Sequence, residues 1–469
     1  MVEIDQSATL RLAETGPTAR NPVPAARTSR WKWSSLILFV AMVANAAIVL
    51  VVLPLAQSRL ALTYSIDFGD LYDLIGKSLE QGYGYRVEPT TGYTMLREPG
   101  YPFLLAAVFK FAGYGIQQAR FLCVLLAAGA ALLLARLARR VTGDATTALV
   151  AALLFLLHPG ILVAEARAGI EVPSILTVLL FMLVLYSAVE KGGVWRYWTA
   201  GLLLGLAVLV RSEVLLFPLM LLGYLLLTAE GFAGKKRAVE GIGLLAIGAA
   251  IAVSPWIIRN YSLVQQFVPT ATVTGTALQE GLYTCKSPAT TEQFVLEQRK
   301  AGVERAELAT RLGLPFTGPY YQLFYTPYDE VAFNHALVEG VFTEYRKDPA
   351  LLAGCAAKNL LFNFWFLGKT RQSTLLNLVM QAPLLALGLA GIVTLWRTRL
   401  LRRAGIVLAY ILYIPSLHAV IIAHARHSML IVPFLVILAA CFVTWAGRAL
   451  ARKTTTSPAH PVNAATAAE

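Results

Sequence analysis

The chain has 469 residues, of which 57% are apolar and only 14% charged, and its net charge is +13. Ordinary soluble domains carry roughly 25% charged residues, so this composition excludes a dissolved globule, a collagen-like fibre and a disordered chain. Four cysteines, two of them (Cys123 and Cys441) inside apolar runs and none in a C-x-x-C pair, exclude a disulfide framework and a cysteine-based zinc site.

A polar tail, 1–33, precedes the first apolar run, 34–56, which is too long for the apolar core of a signal peptide and is read as an uncleaved anchor. Further runs near the roughly 20 residues that a bilayer needs lie at 117–138, 144–163, 173–189, 239–258, 374–396, 404–422 and 428–447. The stretch 198–228 is too long for one crossing and is interrupted by Arg211-Ser212-Glu213, so it divides into two short spans, for about ten in all. Two more apolar segments, 102–113 and 350–367, are read as helices lying on the outer surface. If either crossed alone, the cluster Arg397, Arg399, Arg402 and Arg403 would land outside.

With ten spans both termini share a side. That side takes half of the 40 Lys and Arg residues but only a minority of the 27 acidic ones, and it is cytoplasmic by the positive-inside rule. The charge excess therefore reports topology, and no nucleic-acid partner is implied. The mass on the opposite face lies in the first loop, 57–116, and in a small helical domain, 259–373. Within that domain, 268–281 reads as extended, 291–312 as a charged helix, 314–328 as a turn region, and another helix ends at Asp348-Pro349. Helices at 374–447 and a cytoplasmic tail, 448–469, complete the chain. The tails at 1–28 and 454–469 have the composition of disordered segments.

The first loop carries Asp67-Phe-Gly-Asp70-Leu-Tyr72-Asp73, then Gly-Tyr-Gly-Tyr at 82–85, then Arg97-Glu98-Pro99-Gly100-Tyr101-Pro102 opening an apolar helix. His158-Pro159 and Glu171 follow, then a glycine-bearing helix ending in Arg211-Ser212-Glu213, Pro255-Trp256-Ile-Ile-Arg259-Asn260-Tyr261, and His424-Ala-Arg426-His427. These landmarks, spread over 33–447, resemble the GT-C superfamily of integral-membrane glycosyltransferases. Within it they are most similar to family 39, which holds the protein O-mannosyltransferases and lipid A aminoarabinose transferases.

The resemblance implies an all-α polytopic membrane protein of the GT-C fold. It also implies inverting transfer of a sugar from a polyprenyl-phosphate donor to a lipid, glycan or protein hydroxyl at the outer face of the plasma membrane. Asp67 then becomes the general base, with Asp70 in reserve because Asp67 stands five residues before Tyr72 where the family usually has four. A carboxylate fits because a hydroxyl is a poor nucleophile until its proton is taken. Arg97, Arg211, Arg259 and Arg426 become contacts for the donor phosphate, and Tyr72, Glu98, Tyr101 and Glu171 contacts for substrate.

Arg211 is also marked by the residues alone, because a charge inside an apolar stretch is costly unless paired or beside a watery cavity, and Glu213 is its available partner. For Glu165 and Glu171 a structural pairing and a sugar contact both stand. His424 and His427 without an adjacent carboxylate are a weak metal signal, so no metal and no cofactor are expected. The aromatic residues Tyr320, Tyr321, Phe324, Tyr325, Tyr328 and Phe362 to Phe366 read as an interfacial belt. Cys285 and Cys355 fall on the outer side and are either bridged or free. A transporter or flippase, and a polysaccharide polymerase or ligase, are the competing classes. The first would place ionisable groups near the membrane midplane in two repeated halves, and no repeat is seen.

Overall fold

The computed structural model describes residues 25–60, 70–286, 291–314, 324–366, 368 and 371–455. Asp67, Tyr320, Tyr321 and most of both tails lie outside the described residues. Among those described the fold is helical throughout, with no strand.

Helix α1 (Ala25–Ala47) passes through a π-turn (Ile48–Val52) into α2 (Leu53–Leu60). The first loop contains α3 (Tyr72–Glu80) and leads into α4 (Gly100–Ala112), followed by α5 (Ile116–Thr142), α6 (Ala145–Leu156), α7 (Pro159–Ala166), α8 (Glu171–Lys191) and α9 (Val194–Val210). Then come α10 (Phe217–Thr228) and α11 (Gly231–Val264); α12 (Thr274–Lys286), α13 (Thr291–Arg311), α14 (Pro327–Lys347) and α15 (Pro349–Lys358); and α16 (Arg371–Arg397), α17 (Gly405–Val420) and α18 (Val432–Thr455).

Among the described residues seven of these segments are long and apolar enough to cross a membrane, or eight if the pair α6 and α7, bent by 50°, is counted as one span. The two remaining crossings expected from the sequence correspond to α9, with 17 residues, and α10, with 12. At 1.5 Å per residue these helices reach only about 25 and 18 Å, against a hydrocarbon core of about 30 Å. They are short because Arg211 leaves helical geometry altogether (φ −152°, ψ 116°) and a 3-10 turn, Ser212–Val214, follows it. The 102–113 segment is the short helix α4 and the 350–367 segment is α15 with a π-turn (Asn359–Asn363), so neither forms a candidate span.

Helix ends follow local chemistry. The Asp144 carboxylate caps α6 through Thr147 N–H and is gripped by Arg448 at 2.7 Å, fixing the end of α18 beside the start of α6. Glycines let α9 and α11 touch backbone to backbone: a Cβ on Gly201 would sit 2.2 Å from Leu245 O, and one on Gly205 2.8 Å from Ala249 O. This is the small-residue packing that membrane helices use in place of a hydrophobic driving force.

The main core lies among the transmembrane helices, from Leu134, Phe155 and Phe181 through Phe217 and Tyr410 to Phe434, while apolar side chains such as Phe39, Val43 and Val379 face outward. Helices α12, α14 and α15 pack around a separate core that includes Leu278, Leu282, Val341 and Tyr345. One of the elements predicted within 259–373 changes: α12 starts at Thr274, inside the stretch read as extended, because the Thr/Gly run there is followed by the apolar positions Leu278 and Leu282 at helical spacing. Cys285 and Cys355 are bridged, with Cα atoms 5.1 Å apart across a separation of 70 residues.

Candidate active site

Tyr85 anchors the described part of the first loop. It is buried edge-on against Trp256, 4.8 Å between centroids, and its hydroxyl reaches the carbonyls of Arg97 (2.9 Å) and Glu98 (3.1 Å). Burial pushes the Tyr85 hydroxyl well above its ordinary pKa, so it remains a donor. Just upstream, Met95 is gripped on both backbone groups: its N–H donates to the Glu330 carboxylate at 2.9 Å and its carbonyl accepts from Thr272 N–H at 2.9 Å. Glu330 also accepts from the hydroxyls of Thr94 (2.6 Å) and Thr272.

At the end of this clamped segment the helix α4 begins against α9, so closely that a Cβ on Gly100 would lie 2.7 Å from Val210 Cγ2 and 2.9 Å from Leu209 O. Only glycine allows this approach, and it brings Glu98 to the break after α9. One Glu98 oxygen accepts from Ser212 Oγ at 2.6 Å and Ser212 N–H at 3.2 Å; the other accepts from the Tyr72 hydroxyl at 3.5 Å. Tyr72 in turn lies under the Arg97 guanidinium, 5.2 Å to the ring centroid.

Arg97 and Arg426 converge on Asp70. Arg97 Nε donates to the Asp70 carbonyl at 3.0 Å and its Nη2 lies 4.0 Å from the carboxylate; Arg426 Nη1 reaches the two carboxylate oxygens at 3.1 and 3.3 Å. Between Asp70 and Tyr72, Leu71 adopts φ +65°, a left-handed conformation costly for a branched side chain and typical of functional sites. The contact joins the first loop to the turn before α18, 356 residues apart in sequence.

On the other side of Ser212 lies a second ionic group. Arg211 Nη2 donates to Glu213 Oε1 at 2.7 Å, and its Nη1 lies 3.9 Å from Glu171. Glu213 Oε2 faces His418 Nε2 at 3.1 Å, His418 Nδ1 is 2.6 Å from the Ile422 carbonyl, and His418 stacks on His427 at 4.4 Å. Glu213, His418 and His427 are the one group among the described residues with metal-ligand spacing, their ligand atoms lying within 4.8 Å of one another. One feature weakens them as a metal centre: His427 Nδ1 accepts from His424 N–H at 3.3 Å, which places the hydrogen on Nε2. Burial, and after it the cations around it, push the His427 pKa well below the ordinary histidine value.

The structure therefore gathers seven of the expected residues: Asp70, Tyr72, Arg97, Glu98, Glu171, Arg211 and Arg426. Two turn their polar atoms elsewhere. The Tyr101 hydroxyl donates to Ala168 O at 2.6 Å, anchoring α4 to the turn before α8. Arg259 lies over Trp256 (4.6 Å) and Tyr85 (5.3 Å) and donates to Thr94 O at 2.9 Å, adding a third grip on the clamped segment. Glu165 is fully buried with Asn45, which donates to it at 3.0 Å.

Residues 97–258 match the family model described as dolichyl-phosphate-mannose-protein mannosyltransferase. Among solved structures, the oligosaccharyltransferase AglB from Archaeoglobus fulgidus, in complex with an inhibitory peptide and a dolichol-phosphate, superposes with a TM-score of 0.55 at 14% identity, over 92% of this chain and 53% of its own. The chain has the GT-C fold. The apo form of the Archaeoglobus oligosaccharyltransferase gives 0.52 at 15% identity, covering 91% and 52%, so the chain spans about half the length of these relatives. ArnT from Cupriavidus metallidurans bound to undecaprenyl phosphate aligns over 92% of this chain and 81% of its own at 14% identity, with a TM-score of 0.41. No curated protein sequence matches.

Within this GT-C fold, sequence reasoning missed Glu330, Ser212 and His418. His418 carried a usable signal, being an ionisable group inside an apolar helix. Glu330 carried none: it sits in an ordinary charged helix, and only the tertiary contact 235 residues away, with Met95, gives it a role.

Proposed function

We propose that the protein is an inverting glycosyltransferase that moves a hexosyl or pentosyl group from a polyprenyl phosphate to an acceptor hydroxyl at the outer face of the plasma membrane, both termini being cytoplasmic. The observation that carries this reading is the convergence of Arg97 and Arg426 on Asp70, beside Tyr72, Glu98 and Arg211, in a chain of the GT-C fold. The match of 97–258 to mannosyltransferases that use dolichyl phosphate, and the dolichol-phosphate held by AglB, support a lipid-phosphate donor. The Cys285 to Cys355 bridge supports an oxidising compartment for the small domain, hence the outer side.

The acceptor oxygen attacks the anomeric carbon on the face opposite the phosphate. The bond from that carbon to the phosphate oxygen breaks, its electron pair leaves with the lipid phosphate, and the hydroxyl proton passes to a first-loop carboxylate, Asp67 or Asp70. Arg97 and Arg426 meet the growing negative charge of the leaving group, with Arg211 behind them. Before donor binds, Asp70 occupies the two arginines; an incoming phosphate replaces it there and leaves the carboxylate to take the proton.

The test is release of free polyprenyl phosphate, followed by mass spectrometry, from the full chain in nanodiscs given synthetic polyprenyl-phosphate sugars. Lipid-linked sugars accumulating in a deletion strain would name the donor. No release from any donor, with the protein folded, overturns the reading and favours a transporter.

A further inference from the structure

At the basic end of the helix bundle, far in sequence from the first loop, a cavity of about 890 Å³ opens between α8, α9, α10, α11 and the turn before α17. That volume lies in the range that takes an organic ligand. Its lining combines an apolar part (Val189, Leu225, Leu244, Ile406), tyrosine rings (Tyr186, Tyr197, Tyr224) and a rim of Lys191, Arg237, Arg399, Arg402 and Arg403.

The charges do not cancel locally. The two acidic residues of the lining are engaged from outside it: Glu190 by Arg140, through three hydrogen bonds of 2.8 to 3.3 Å, and Glu240 by Lys236 at 3.8 Å. Among the rim cations only Arg402 makes an ion pair within 4 Å among the described residues, with Glu230 at 3.8 Å, and both partners are so exposed that the pair is worth little. The Tyr186 and Tyr224 hydroxyls donate to the carbonyls of Arg403 (3.0 Å) and Arg402 (3.3 Å), which fixes the arginine-bearing turn over the cavity. Large apolar side chains stand at the same level facing outward: Trp195 is 73% exposed, Phe232 84% and Leu227 89%. Such residues beside a ring of cations mark the level where headgroups meet acyl chains.

We propose that this cavity is a binding site for an anionic phospholipid, whose phosphate is held by Arg237, Arg399 and Arg403 and whose acyl chains lie along Leu225, Leu227 and Phe232. Basic pockets between membrane helices are suited to such headgroups. A lipid fits better than a soluble anion because the cavity joins a cationic rim to an apolar lining beside lipid-facing side chains. The site is independent of the transfer reaction proposed above.

The test is native mass spectrometry of the full chain from nanodiscs of phosphatidylcholine with a minority of phosphatidylglycerol. The wild type should retain phosphatidylglycerol in preference to phosphatidylcholine, and the triple variant R237Q/R399Q/R403Q should bind it about 10²-fold more weakly, at roughly fivefold per cation. Arg346→Gln, on α14, should change nothing. If the triple variant fails to fold, Arg399→Gln alone, in an exposed turn, should still lose several-fold. Equal retention of both lipids by the wild type, or undiminished retention by the folded variants, overturns the proposal. Displacement of the lipid by inorganic phosphate overturns it in favour of a soluble anion.

Discussion

Replacing Asp70 by Asn keeps the side chain's shape, removes its charge and separates two roles by size. In the structure the carboxylate lies 3.1 Å from one guanidinium and 4.0 Å from another. At an effective dielectric of about 20 the two contacts are worth at most about 5 and 4 kcal/mol. Arg426 is 42% exposed, so solvent screening reduces its share to about 1 kcal/mol; Arg97, at 8%, keeps somewhat more. Loss of the ion pairs should therefore cost about 1 to 2 kcal/mol of stability. Loss of a general base removes about 10² to 10⁴ in rate, or about 3 to 5.5 kcal/mol of barrier. Turnover of a polyprenyl-phosphate sugar by Asp70→Asn in nanodiscs should thus fall at least about 10²-fold while the melting temperature moves by a few degrees. Asp67→Asn measured alongside assigns the base to the residue with the larger loss. Near-normal turnover in both variants and in the double variant refutes a first-loop base and turns attention to Glu98 and Glu171.

Transfer should continue in the presence of a chelator, since arginines are proposed to hold the leaving phosphate; activity lost in chelator and restored by a divalent ion would make Glu213, His418 and His427 ligands. Glu330→Ala strands Met95 N–H and two threonine hydroxyls in a buried site and should cost about 3 kcal/mol or more in thermal or denaturant unfolding, with Glu330→Gln milder; equal stability of Glu330→Ala and wild type would refute the clamp. Because the folded His427 resists protonation, the unfolded chain binds more protons as pH falls below about 6.5. Stability should therefore drop on acidification from there, by up to about 1.4 kcal/mol per pH unit, and His427→Gln should flatten the slope; an unchanged slope would assign it to other groups.

Helix positions were legible because a bilayer demands long apolar runs and tolerates few charges, and the one apolar stretch that the sequence divides, at Arg211, is where α9 ends. The motif residues of the first loop were legible as types, since Gly100 must be glycine for α4 to meet α9 and Glu98 must be able to accept from Ser212. Their partners were not. The meeting of Asp70 with Arg426 spans nearly the whole chain, and no local periodicity encodes which of several surface arginines folds back on a particular carboxylate. Arg259 and Tyr101 carry the same motif signal as Arg97 and Tyr72, yet their polar atoms are turned to backbone carbonyls inside the protein, a distinction that only packing makes.

Met95 takes its hydrogen-bonding partners from Glu330 and Thr272, two residues before the arginine that faces Asp70. The region 259–373 thereby sets the position of the segment that carries Arg97 and Glu98. A chimera that exchanged residues 259–373 for the corresponding part of a relative, in the hope of changing the acceptor alone, would also retune the height at which Arg97 and Glu98 sit. If the proposed function holds, a change made in that region to alter the acceptor would have to be matched by one in the first loop.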